Sequence, residues 1–259
     1  MSDFAERWAT DLRSWGIPEH ILSTAPQSPW IHPVSSFTPQ GDLHVETPSR
    51  HRALDVLDGP SNATVLDVGC GGGRAAYGLV PPATKVVGVD HQQGMLNVFS
   101  AQATEREVQC VTVLGNWPAV EHDTPNADVV VCHHVVYNVA DLVPFIHSLT
   151  THAQRRVVLE LPMRHPLSHL SDAWKHFWDL ERPTTPTAYD ALNLVRSTGV
   201  DAHIAEFETE PEPVRMGDLD VEHMRIRLCL TEDRDAEVRA FLAARQPIAR
   251  ELATIWWDI

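Results

Sequence analysis

The sequence predicts an α/β domain built on a parallel sheet, and three observations carry that reading. Short valine-rich apolar runs recur through the middle of the chain, most gaps between them are long enough for a helix, and the first run exits directly into a glycine-rich turn. Continuous apolar strands separated by helices are what a sheet covered on both faces requires.

The elements follow in order. Phe4, Trp8, Leu12 and Trp15 recur at helical spacing and predict an amphipathic N-terminal helix. The segment "APQSPWIHPVSSFTPQGD", which carries Trp30 and Phe37, reads as an ordered loop or a lid, so residues 1–46 form a helical extension, packed on the domain or closing over a ligand. Thr47-Pro48 supplies a cap and a proline at the first helical position, opening a helix to about Leu57. Strands are predicted at Thr64–Val68, Lys85–Val89, Gln109–Leu114, Asp128–Cys132 and Arg156–Leu161, giving a core over 47–161. Residues 162–186, "PMRHPLSHLSDAWKHFWDLERPTTP", read as a cap insertion. Residues 187–259 return to the same domain, with a helix at Thr187–Thr198 ending at Gly199, strands at His203–Glu208 and Met224–Leu230, and a helix near Asp233–Arg245.

Bulk properties narrow the function. The 259 residues carry 20 Lys and Arg against 35 Asp and Glu, a net charge of −15, which repels phosphate backbones and argues against a nucleic-acid partner. No apolar run is long enough to span a bilayer, so no membrane insertion is expected. The N-terminal stretch lacks a basic segment followed by an apolar one, and Cys70, Cys110, Cys132 and Cys229 are scattered; a cytoplasmic protein with reduced thiols is expected. The sequence leaves the oligomeric state open.

The turn after the first strand is "VLDVGCGGGR". Gly69, Gly71 and Gly73 permit a tight turn and close approach of a ligand, and the helix that follows aims free N–H groups at it. Asp67 ends the strand, able to accept from a ligand amine or to orient the loop. A dinucleotide site is one candidate, because Gly71-x-Gly73-x-x-Ala76 is followed by an acid at Asp90. Asp67 before the first glycine and the bulky Arg74 after the last one argue against it.

This stretch resembles motif I of the class I S-adenosylmethionine-dependent methyltransferases, hhD-x-G-x-G-x-G. The resemblance continues through "KVVGVD", "VTVLGNWPA" and "ADVVVCHHVVYNVADL", covering roughly residues 50–161. It implies a seven-stranded Rossmann-like sheet with helices on both faces, an N-terminal helical extension and a cap after strand five. It also implies that Asp67, Gly69, Gly71 and Gly73 wrap the methionine part of S-adenosylmethionine, with S-adenosylhomocysteine as product. Asp90 would then bind the ribose, Asn116 the adenine edge in place of the usual aspartate, and His91, Trp117 and His133 would complete the cofactor set.

Methyl transfer needs an aligned nucleophile and a group to take its proton. His133 or His134, after the fourth strand, is a candidate base, with Glu160 at the end of the fifth completing a carboxylate-histidine set as a base or a ligand. Tyr137, Arg164, His165, His169, Trp174 and Trp30 are candidates for lining an acceptor pocket. His165 and His169 would share a helix face; a divalent metal held by them with Glu160 stays open, and no metal site is assigned. The expected reaction is O-methylation of a small-molecule hydroxyl on a sugar or a phenol, since "HHVVYN" stands where many N-methyltransferases carry Asn-Pro-Pro-Tyr. An NAD-dependent oxidoreductase and a non-catalytic binder of S-adenosylmethionine are the alternatives.

Overall fold

The computed structural model describes residues 3–30, 41–59, 62–211, 213–214 and 217–259. Seven strands form one sheet in the order β3-β2-β1-β4-β5-β7-β6: β1 Thr64–Val68, β2 Lys85–Asp90, β3 Gln109–Leu114, β4 Ala127–His133, β5 Ala153–Pro162, β6 His203–Glu208 and β7 Glu251–Asp258. The first five are parallel, and β7 runs antiparallel between β5 and β6. The helices are α1 Asp3–Ser14, α2 Glu19–Leu22, α3 Pro48–Leu57, α4 Arg74–Tyr77, α5 Gln93–Glu105, α6 Leu142–His152, α7 Ser171–Trp178, α8 Ala188–Ser197, α9 Asp218–Arg227 and α10 Asp235–Ala244.

Side-chain alternation along the strands builds two cores. Leu66, Val130, Val157 and Leu159 point to one face and pack under α1, α6 and α8. Val65, Val129, Val131 and Val158 point to the other, under α3, α4 and α5. The sequence signals that opened these helices are realised as caps. The Thr47 hydroxyl accepts from Arg50 N–H at the start of α3, and Thr187 and Asp190 form a reciprocal capping box at the start of α8. Helix α1 is packed against the sheet: Trp8 is buried, stacks on Tyr137 with ring centroids 5.6 Å apart, and donates its indole N–H to Val139 O at 2.8 Å. Residues 31–40, with Phe37, lie outside the described residues, and the lid reading of that segment falls there.

Two expectations for the C-terminal third are corrected. The segment Met224–Leu230 alternates apolar and polar residues as a strand would, yet it lies in α9 and the turn after it. Its arginines do not face solvent as that alternation implies. Arg225 pairs with Asp235 at 2.8 Å and Arg227 donates to Pro29 O at 2.9 Å, so both sides of the segment are buried. The partner of β6 is instead β7, "ELATIWWD", separated from it by residues 209–250, so β6 and β7 form an antiparallel pair that is distant in sequence.

That long excursion also rebuilds the cap. Ile21 from α2, Leu170 and Trp174 from the segment after β5, and Val221, Leu228 and Leu242 from the excursion share a third apolar cluster. The cap is therefore assembled from three separated stretches, and 162–186 supplies only its middle part.

Candidate functional site

Strand order reverses direction between β1 and β4, and in open α/β sheets the crevice for ligands lies outside the carboxyl ends of the strands at such a switch. The glycine-rich turn leaves β1 there. Gly69, Gly71 and Gly73 all have positive φ (72°, 50° and 91°), which side-chain-bearing residues rarely adopt. Packing adds a second reason at two of them. A Cβ on Gly69 would lie 2.4 Å from Val135 Cγ2, and one on Gly73 would lie 2.3 Å from the Tyr77 ring. Gly73→Ala is expected to destabilise the fold by roughly 2 kcal/mol or more, read from chemical denaturation, because it adds both backbone strain and overlap.

Two acids bracket the turn. Asp67 is 2% exposed and accepts from Ala76 N–H at 3.2 Å, so of the two roles the sequence left to it the geometry realises loop orientation. Burial raises its carboxyl to about 7, helped by nearby Asp90 and opposed by the Ala76 N–H. Between about pH 4 and pH 7 the folded chain thus keeps a proton that the unfolded chain has released, and stability falls as pH rises through that window. Asp67→Asn is expected to be more stable than the parent at pH 8 by at least about 1 kcal/mol, with the gap closing toward pH 4 in parallel denaturant titrations.

Asp90 ends β2. Its Oδ2 accepts from Gly71 N–H at 3.0 Å and its Oδ1 from Gln92 N–H at 2.9 Å. Each carboxylate oxygen keeps a lone-pair site after that single bond, which suits the two hydroxyls of a ribose. His91 is exposed beside it, with Nδ1 3.6 Å from Oδ1. Gly115 N–H donates to Asp90 O at 3.0 Å, which sets the neighbouring, exposed Asn116 at the same rim. Trp117 sits deeper, against His152, and its indole N–H is buried with no partner among the described residues. A glycine turn, a ribose-competent acid and a polar rim together fit a sulfonium nucleoside.

On the other side of β1, the sheet register aligns a second group. His133 on β4 is paired with Glu160 on β5, and Glu160 with Thr254 on β7. His133 Nδ1 lies 3.9 Å and His134 Nε2 3.3 Å from Glu160 Oε1. His134 has a φ of 61°, an uncommon conformation for a residue with a side chain, and donates its N–H to Glu160 O at 2.7 Å. Burial alone would raise the Glu160 carboxyl. The two imidazoles and a hydrogen bond from Ser49 outweigh it and hold the group down to about 2, so it is ionised. The histidines differ in access: the His134 side chain is 43% exposed, that of His133 only 19%. Burial also lowers the His133 pKa, and its Nε2 is sealed without a partner among the described residues.

The other expected pocket residues fall into separate groups: Tyr137 meets His165 edge-on with ring centroids 5.4 Å apart, and Trp30 and Trp174 line one small cavity. Tyr137 is buried and donates its hydroxyl to Pro162 O at 2.9 Å. His165 and His169 do not share a helix face, because Pro166–Leu170 is a 3₁₀ turn; His165 Nδ1 accepts from Leu167 N–H at 3.2 Å and His169 Nδ1 donates to Pro166 O at 2.6 Å. The His165 ring lies on Trp15, with centroids 4.1 Å apart, and burial together with Arg182 lowers its pKa to about 4. Arg164 lines a separate cleft of about 410 Å³ with Tyr189, Glu206 and Glu251. Trp174 is packed inside the cap and Trp30 is 45% exposed, so neither joins the histidines and Glu160. Among the described residues no group of three His, Cys, Asp or Glu side chains is arranged to hold a metal, and no helix is long and apolar enough to cross a membrane. Sequence reasoning missed Ser49 and Thr254, which carry no motif of their own.

Comparison with known proteins bears on the family and the fold. Residues 65–155 match the family described as "Methyltransferase domain". The chain is similar to a ubiquinone biosynthesis O-methyltransferase of Alkalilimnicola ehrlichii, 29% identical over 171 residues that span 62% of this chain and 67% of that protein. It is also 26% identical to an uncharacterized protein of Haemophilus influenzae, over 80% of each. Among solved structures, the YcgJ protein of Bacillus subtilis superposes with a TM-score of 0.54 at 16% identity, covering 81% of this chain and 97% of that one. A magnesium protoporphyrin IX methyltransferase from Synechocystis PCC 6803 with bound SAH gives 0.51 at 16%, covering 85% and 91%. At such identities the two structures speak for the fold alone.

Proposed function

We propose that this chain, a class I S-adenosylmethionine-dependent methyltransferase, methylates a hydroxyl oxygen of a small molecule, with a phenol preferred over a sugar. The observation that carries the oxygen assignment is the His134–Glu160 pair at the carboxyl ends of adjacent strands. The name of the Alkalilimnicola relative, an O-methyltransferase of ubiquinone biosynthesis, supports a phenolic acceptor.

Asp90 would hold the ribose hydroxyls, the turn from Gly69 to Gly73 would border the methionine end, and Asn116 with His91 would meet the adenine. Trp117 would flank that end, and Asp67 acts from beneath by fixing the turn to α4. When bound, S-adenosylmethionine supplies an electrophilic methyl group on a positively charged sulfur. The protein's own task is then to align the acceptor oxygen and take its proton. Glu160, ionised and close to His134 Nε2, favours the tautomer with the proton on that nitrogen. This leaves the lone pair on Nδ1, and the exposed ring presents it to the acceptor O–H. The imidazolium formed is stabilised by the same carboxylate. His133 serves as a neutral wall between Glu160 and the cofactor crevice.

The test is release of S-adenosylhomocysteine from S-adenosylmethionine, with a panel of catechols, simple phenols and free sugars as acceptors. Turnover with a catechol above the acceptor-free background is expected. Turnover confined to amines, or cofactor binding with no turnover on any acceptor, contradicts the proposal.

A further inference from the structure

Glu160 owes its orientation to two hydroxyls that no motif marks. Ser49, in the first turn of α3, places Oγ 2.6 Å from Glu160 Oε2 and 2.6 Å from Thr254 Oγ1. Ser49, Glu160 and Thr254 are 1%, 9% and 0% exposed, so water does not compete for these bonds. An ionised carboxylate only accepts, so Ser49 must give it its single proton. Ser49 Oγ then has only lone pairs left for Thr254, and Thr254 must be the donor of the second bond. The direction of the row is thus fixed by chemistry: Thr254 donates to Ser49, and Ser49 to Glu160. His133 faces the same carboxylate from β4, His134 from the turn after it and Ser49 from α3, while Thr254 on β7 reaches it through Ser49.

We propose that Thr254 and Ser49 are positioning residues for methyl transfer: their ordered hydrogen bonds fix Glu160 Oε2 so that Oε1 stays aimed at His134. The inference rests on His134 acting as the base. Successive hydrogen bonds of one polarity strengthen one another in a dry environment, so loss at the far end is felt at the carboxylate. Without Ser49 the carboxyl can rotate away from the imidazole, and the preference of His134 for a free Nδ1 weakens. The three elements α3, β5 and β7 are thereby tied to one proton-transfer geometry.

A positioning role predicts a defect that depends on how much help the acceptor needs. A nitrocatechol ionises without a base near neutral pH, whereas catechol does not. With catechol, Ser49→Ala is expected to lower kcat by about tenfold and Thr254→Val by about threefold, while Thr254→Ser restores what Thr254→Val loses. With a nitrocatechol the loss for each is expected to shrink below about twofold, since proton removal no longer limits the rate. S-adenosylmethionine affinity, followed by calorimetry, should not move. Equal losses on both acceptors, no loss on either, or failure of Thr254→Ser to restore the rate overturns the inference. Glu160→Gln, run alongside, separates the levels: if it matches the parent on catechol, or if the parent methylates neither acceptor, the proposed base chemistry itself fails.

Discussion

Asp90→Ala is expected to raise the dissociation constant for S-adenosylmethionine by at least about a hundredfold, since hydrogen bonds to a charged group contribute roughly 1.5–3 kcal/mol each. Two effects add. The ribose hydroxyls lose a doubly accepting carboxylate, and the turn loses its anchor, because Gly71 N–H and Gln92 N–H both end on that side chain. Alanine leaves those donors without an acceptor beside a partly buried loop, so the empty protein is also altered. Asp90→Asn distinguishes the two contributions: its amide keeps one acceptor oxygen and restores part of the loop, but one ribose hydroxyl still meets a donor. Calorimetry should place it between the parent and Asp90→Ala. Equal affinity in all three proteins would remove Asp90 from the cofactor site.

The second large effect is expected at His134. His134→Ala should lower turnover by about a hundredfold to a thousandfold on a catechol acceptor, with cofactor affinity unchanged, in the range that general-base catalysis supplies. His133→Ala should cost about tenfold at most. The contrast follows from placement. Both rings face one Glu160 oxygen, but His134 is the open one, whereas His133 has its second nitrogen sealed and is kept neutral by burial. Loss of one residue's function should therefore not mimic loss of the other. If His133→Ala proves the more damaging, the proton leaves through the buried ring and the assignment of the base reverses.

The parts of this molecule that were legible in its sequence are those where one local pattern decides one structure. Valine runs such as Thr64–Val68 and Lys85–Val89 are buried by the sheet itself, and Thr47-Pro48 fixes a helix start whatever packs above it. The misread segment, Met224–Leu230, has an alternation that fits a strand, but tertiary ion pairing to Asp235 and contact with Pro29 bury its arginines on a helix. Strand β7 has partners far away in sequence, at β5 and β6, so no local pattern marks its pairing. The site divides the same way. The glycine turn, Asp90, the histidines and Glu160 sit at strand ends, where sequence order and sheet order coincide. Ser49 and Thr254 reach Glu160 only once α3 and β7 have docked, and a lone serine and a lone threonine carry no signal of that.

The central claim is that the turn between two acids receives a sulfonium nucleoside. Titration calorimetry of the unmodified protein with S-adenosylhomocysteine, and separately with NAD, tests it most directly. Saturable binding of S-adenosylhomocysteine at micromolar concentration, with no comparable heat from NAD, is the predicted result. Tight binding of NAD with no response to S-adenosylhomocysteine at millimolar concentration would contradict it.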